Sequence, residues 1–350
     1  YTAEDDCAGL AEKDRLARDY PQLALYFPWQ LSVEQAIELA KECEQAGFAA
    51  DPKITNSEGA TVSTSESQFI YANSLDFMGG YPVSRHSVSC ALIAEHNESK
   101  QRDYWYSVAR DAVDLESAQE IGRKTGLRSA ARLGARKIAT CEVPVIFEAP
   151  IASSLIGHFA SAISGGSLYR KSSFLLDSIG EQVFAPDIQI LDLPYLPKGL
   201  GSGPFDEDGV ATMERKIVEN GIVQGYFLGS YSARKLKMDT TGNAGGAHNL
   251  IIQSANTLDV PALLKKLHTG LLVTELLGHG VNGVTGDYSR GASGFWVENG
   301  RIAYPVEEIT IAGNLKDIYR GILAIGDDVI VRGSKQSGSI LIDRMTVAGD

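Results

Sequence analysis

The sequence predicts an α+β protein: a central α+β domain of helix, antiparallel strands and helix over residues 1–140, then a β-rich domain with a few short helices over residues 141–350. Three observations predict it. Helically spaced apolar residues bracket a long stretch of alternating Ser, Thr, Val and Tyr in the first part. Val-Glu-Asn-Gly, a hairpin signal, occurs twice in the second. The length of 350 residues exceeds what one hydrophobic core usually supports.

Ser32 and Gln35 stand in capping-box spacing, and Val33, Ala36, Ile37 and Ala40 then fall on one face of a helix that Gly47 is expected to stop. From Ile54 to Ile93 polar and apolar residues alternate, as in antiparallel strands with one wet face. A second helix is expected over Leu115–Leu133, ending at Gly134. The second domain opens with a strand at Val143–Phe147. Ile151, Leu155, Ile156, Phe159 and Ile163 then recur at helical spacing until Gly165-Gly166. Asn220-Gly221 and Asn299-Gly300 supply the positive φ angles of tight turns, so each should reverse a strand pair. Asp259 is placed to cap Val260–Leu267, and Asn314 to cap Leu315–Leu323. In GHGVNGVTGDYSRGASG, residues 278–294, glycine is so frequent that only a loop or a series of turns is expected.

With 32 basic against 44 acidic residues the formal charge is −12, which disfavours nucleic acid and anionic membrane surfaces as partners. No apolar run approaches the roughly 20 residues that span a bilayer, and the acidic start YTAEDDCAGL lacks the regions of a signal peptide. Cys7, Cys43, Cys90 and Cys141 are widely spaced, so neither a disulfide framework nor a thiolate zinc knot is indicated, and a reducing cytoplasm is the expected compartment.

Residues 278–283 satisfy G-x-G-x-x-G, but no helix follows, so a dinucleotide site is not expected. The six histidines, at 86, 96, 158, 248, 268 and 279, include no pair at H-E-x-x-H spacing, and a zinc site would need distant positions. His158 lies at the margin of an apolar helical face, where a core histidine bonded to backbone is commoner than a ligand. Glu275 and His279 could meet on one helical turn, a surface pair being the plainer account. Ser153-Ser154 lack a nearby nucleophile motif. In Gly242–Asn249 closely spaced glycines could bring backbone N–H groups to a peptide, or could simply serve a loop with positive φ.

The runs GGSLYRKSSFLLDS (165–178), SYSARKL (230–236), GDYSRGASGFWVENG (286–300), Tyr304-Pro305-Val306 and ITIAGNL (309–315) resemble those of PmbA/TldE proteins of the TldD/PmbA metalloprotease family. The likeness runs along essentially the whole chain and is densest in its second half. It implies a central α+β domain followed by a β-rich C-terminal domain. Family members usually begin with a further N-terminal domain, which is expected to be missing here, Tyr1 falling near the junction. The family's activity is proteolysis of small or unfolded peptides, in peptide-antibiotic maturation and antitoxin degradation.

Catalytic TldD-type chains carry H-E-x-x-x-H on the helix after a strand, with a cysteine near the C-terminus. Set on that motif, Ser153 and Ser154 stand at the first histidine and the glutamate, His158 at the second histidine, and Ser337 at the cysteine. Hydroxyls are poor zinc ligands and no carboxylate remains as general base, so neither a metal nor a catalytic residue is expected in this chain. Zinc would reside in a TldD-type partner. Gly245, Gly246, His248 and Asn249, with Tyr288 and Arg290 of the second glycine-rich run, are the candidate lining of a peptide groove. Two alternatives stay open: an independent metallopeptidase with a non-standard site drawn from His158, His248, His279 and nearby carboxylates, and a homodimeric peptide-binding module.

Overall fold

The computed structural model describes residues 4–349. Its first unit opens with α1 (Val33–Ala50), where Ser32 Oγ accepts the Gln35 N–H at 3.2 Å and Gln35 Oε1 accepts the Ser32 N–H at 2.9 Å. This reciprocal pair satisfies two donors left free in the first turn. The helix does not stop at Gly47. That glycine is buried inside it, because α2 (Ala118–Ala131) passes so close that only glycine fits: a Cβ on Gly122 would lie 1.8 Å from the Cys43 carbonyl oxygen, and one on Gly126 2.5 Å from that of Gly47. The apolar face read from the sequence is also shifted. Val33 and Ile37 are 70% and 47% exposed, while Cys43 and Gly47 face inward.

Between the helices, β1 (Ile54–Asn73), β2 (Phe77–His96) and β3 (Ser99–Ala109) form an antiparallel sheet. Cys43, Val88, Cys90, Leu92, Trp105 and Ile121 pack together where the helices cover its face. All four cysteines are free.

The second unit begins with β4 (Cys141–Phe147), α3 (Ala149–Ala162) and α4 (Gly165–Tyr169), so Gly165-Gly166 opens a short helix rather than only ending one. Next come β5 (Ile188–Leu193), β6 (Arg215–Glu219), β7 (Ile222–Val223), α5 (Ser230–Leu236), β8 (Asn249–Ser254), β9 (Thr257–Leu258) and α6 (Val260–Leu267). The chain continues through β10 (Gly270–Leu277), β11 (Asp287–Glu298), β12 (Arg301–Asn314), α7 (Leu315–Arg320), β13 (Ile322–Gly326), β14 (Lys335–Gln336) and β15 (Ile340–Ala348). Both Asn-Gly pairs turn hairpins, with φ of 52° and 76° at Asn220 and Gly221 and 51° and 73° at Asn299 and Gly300. Asp259 and Asn314 cap α6 and α7 through their side chains, but α7 ends at Arg320, and the chain turns at Gly321 into β13 instead of continuing to Leu323.

One large sheet runs β12-β11-β10-β4-β15-β13-β9, and β12 also pairs with β15, so five of its strands close into a ring. A second sheet runs β14-β8-β5-β6-β7. α3 lies in the main core, with Leu155, Ile156 and Phe159 buried and Phe159 edge-on to Phe184 at 4.8 Å between ring centroids. The residue 278–294 stretch is not loop throughout. From Asp287 it is β11, because Gly294 serves close strand approach rather than a turn: a Cβ there would lie 2.0 Å from the Leu272 carbonyl oxygen.

Ion pairs from α2 hold the two units together. Arg128 Nη1 meets Glu148 Oε1, at the start of α3, at 2.6 Å, and Arg132 Nη2 meets Glu275 Oε2 of β10 at 2.5 Å. Among the described residues no helix is long and apolar enough to cross a membrane.

Candidate functional site

Two concavities contain the residues singled out from the sequence. The smaller, of about 240 Å³, is built on α3, which supplies His158 and Ser161. α4 and the turn after it add Ser167 and Ser172, β11 adds Arg290, and the 278–286 loop adds His279. That loop lies flat on β11 because Gly280 allows it: Ser289 N–H donates to the Gly280 carbonyl at 2.7 Å, and a Cβ on Gly280 would lie 1.9 Å from the Ser289 carbonyl oxygen. The G-x-G-x-x-G run is therefore a strand-hugging loop that presents His279, with no helix to receive a phosphate.

His158 is not the satisfied core histidine that base rates favour: its Nε2 is buried without a hydrogen-bond partner. Burial, reinforced by the charge of Arg290, holds its pKa below the usual value and so favours the neutral ring. Behind it stands Tyr288, 6.0 Å away between ring centroids, whose hydroxyl is also unpartnered and is pushed by burial up to about 12. Tyr288 is only 1% exposed, so it backs the pocket and is not a surface of any groove, contrary to the expectation from sequence. Among the described residues Arg290 reaches only the Leu277 carbonyl, at 3.5 Å.

The side chains around His158 do not fit a zinc ion. Zinc needs several deprotonated N, S or O donors, and a neighbouring guanidinium opposes a dication. Ser154 Oγ donates back to the Ile151 carbonyl at 2.6 Å, and buried Ser337 donates to the Gly338 carbonyl at 2.6 Å. Ser153, on α3, brings only a hydroxyl. No group of three His, Cys, Asp or Glu among the described residues could hold a metal. Nor do His158, His248 and His279 converge, because His248 lines the other concavity. Glu275, paired with His279 on a hypothetical helix, instead lies in β10 and is taken up by Arg132.

The larger concavity, of about 440 Å³, is a cleft between the units, with Phe69, Tyr81 and Arg110 on one wall and Gly245, Gly246 and His248 on the other. The loop 242–249 is shaped by a carboxylate the sequence did not advertise. Asp192, fully buried in β5, accepts the His248 backbone N–H at 2.7 Å and Asn243 Nδ2 at 2.9 Å, and lies 3.2 Å from His248 Nδ1. Positive φ at Gly245 and Gly246, 91° and 113°, bends the loop toward the cleft. Asn249 does not line it. Its side chain is buried and used internally, accepting the Gly201 N–H and donating to the Leu193 carbonyl and Ser202 Oγ.

Arg110 is held at the cleft by the carbonyls of Ser84 and Leu200, at 3.0 and 2.9 Å. On the opposite wall, burial pushes Asp206 up to about 6, against the pull of backbone N–H groups of Ala244, Val210 and Asp208. The only sequence signal for Asp192 was an acid within an otherwise apolar stretch, and Asp206 was masked by the neighbouring Glu207 and Asp208; the Asn243, Ala244 and His248 groups that bind these two acids are distant in the chain.

Residues 26–133 match the model of the PmbA/TldA metallopeptidase central domain, and residues 140–349 that of the PmbA/TldA metallopeptidase C-terminal domain. The chain is 49% identical over 350 residues to a metalloprotease PmbA homolog of Haemophilus influenzae, covering 100% of this chain and 78% of that protein. A crystal structure from Bacteroides thetaiotaomicron, described as a candidate modulator of DNA gyrase, superimposes with a TM-score of 0.93 at 28% identity, over 100% of this chain and 80% of that one. TldE from Thermococcus kodakarensis shares the fold, with a TM-score of 0.84 at 18% identity over 99% and 81% of the two chains. Matched in both domains, and near half identical over its 350 residues to a relative of which it covers 78%, this chain belongs to the PmbA/TldD metallopeptidase family.

Proposed function

We propose that this chain is a zinc-free subunit that pairs with a TldD-type zinc protease chain in the cytoplasm and guides small or unfolded peptides to the partner's metal. The observation that carries this is the chemistry at the motif positions: hydroxyls at Ser153, Ser154 and Ser337, two of them turned to local carbonyls, and at His158 an imidazole with the Arg290 guanidinium beside it. A cleft walled by glycine backbone and aromatic rings suits an extended peptide, whose main chain can approach where no side chain stands in the way.

The test is hydrolysis of an unfolded peptide by this chain, by a TldD-type chain and by their mixture, with metal analysis of each. Activity and zinc confined to the TldD-type chain, with faster turnover or altered cleavage in the mixture, is the expected result. Full activity of the TldD-type chain alone removes the partner role. Stoichiometric zinc in this chain, lost together with its own activity in His158→Ala, establishes an independent metallopeptidase instead.

A further inference from the structure

The pocket on α3 is more than a site that has lost its metal. In a chain with 44 acidic and 32 basic residues, its lining contains no Asp or Glu among the described residues. What it offers is Arg290, His158, His279 and the hydroxyls of Ser161, Ser167 and Ser172. Such a lining is rich in donors and poor in charge compensation, since among the described residues Arg290 makes no ion pair and its one hydrogen bond, to the Leu277 carbonyl, is long at 3.5 Å. Two buried polar atoms, His158 Nε2 and Tyr288 Oη, have no hydrogen-bond partner among the described residues. Buried donors without acceptors are costly, and a guanidinium in a partly enclosed cavity attracts a negative group strongly.

The geometry points to this pocket as a binding site for a peptide carboxylate. Arg290 would supply the charge-assisted contact, with the neutral His158 and the serine hydroxyls as further donors. A volume near 240 Å³ holds a carboxylate with one small side chain, and is too small for a folded partner segment. The carboxylate can belong to a peptide C-terminus or to an internal acidic residue. The ligand assignment rests on the proposed peptide-handling role, but binding to this isolated chain and hydrolysis by the mixed subunits are separate readouts, so either can fail alone.

Calorimetric titration of the full chain with three peptides tests it: trialanine with a free C-terminus, its C-terminal amide, and acetyl-Ala-Glu-Ala amide. At least about tenfold tighter binding of the first or the third than of the neutral amide is expected, and which of them binds names the source of the carboxylate. Arg290→Gln should erase that difference, and His158→Gln should reduce it. Equal affinity for all three peptides on the unsubstituted chain overturns the assignment whatever the variants do. So does binding of inorganic phosphate with none of either carboxylate peptide.

Discussion

Gly122 of α2 lies directly against the Cys43 carbonyl of α1, where a Cβ would be 1.8 Å from the oxygen. Backbone, not a flexible side-chain end, is what it would strike, so the helices must separate to admit even a methyl group. Gly122→Ala should therefore cost about 2 kcal/mol or more despite alanine's better helix propensity. The midpoint of urea unfolding measures it, and an unchanged midpoint would show that the helix pair tolerates separation.

Arg132 and Glu275 should matter at the junction of the units. Burial pushes Glu275 up, but the charge and hydrogen bond of Arg132, with that of Ser293, outweigh it and leave the carboxyl below its usual value. A depressed folded pKa gives stability that is present above the unfolded value of 4.5 and lost as pH falls through the folded one. Glu275→Gln should cost roughly 1–3 kcal/mol at pH 7, and the gap from the unsubstituted chain should close as pH falls below the usual carboxylate range. A gap that persists in acid would mean the pair works by shape alone.

For Asp206 the sign is opposite. Its folded value of about 6 lies above the usual 3.8, so folding favours the protonated acid, and that stability is present below the unfolded value and lost as pH rises through about 6. The shift corresponds to about 3 kcal/mol. Relative to Asp206→Asn, which does not titrate, the unsubstituted chain should lose up to about that much between pH 4 and pH 7 in thermal or denaturant unfolding. A pH-independent difference would show that the three backbone N–H groups fully offset burial.

Asp192 should be less replaceable than any glycine of the loop it organises. Asp192→Ala strands the His248 backbone N–H and one N–H of the Asn243 amide in a buried site, which should cost about 3 kcal/mol and loosen the cleft wall. Hydrogen exchange at residues 243–249 is the measurement. Protection retained there would place the loop's stiffness elsewhere.

Features set by neighbours in the chain were legible in advance: the Ser32–Gln35 cap, the two Asn-Gly hairpins and the Asp259 cap all follow from a few consecutive residues. Gly47 and Gly294 were misread as punctuation because their reason is a close neighbour far off in the chain, the Leu92 side chain of β2 against Gly47 and the Leu272 carbonyl of β10 against Gly294, that no local pattern reveals. The same holds for the candidate site. Hydroxyls at Ser153, Ser154 and Ser337 could be seen by register on a motif, whereas the apposition of His158 and Arg290, the burial of Tyr288 and the internal use of Asn249 depend on long-range pairing.

The ring of five strands has a consequence for synthesis. Its last member, β15, pairs Ile340 with Phe147 and Ile342 with Val145 on one edge, and Thr346 with Ala312 on the other. A nascent chain still held in the ribosome short of residue 340 has one edge of β4 and one of β12 open, with the apolar run that leads into α3 unsealed. Contacts this distant are slow to form, and an open apolar edge invites chaperones and aggregation in the interval. Closure of this ring waits until β15 has emerged.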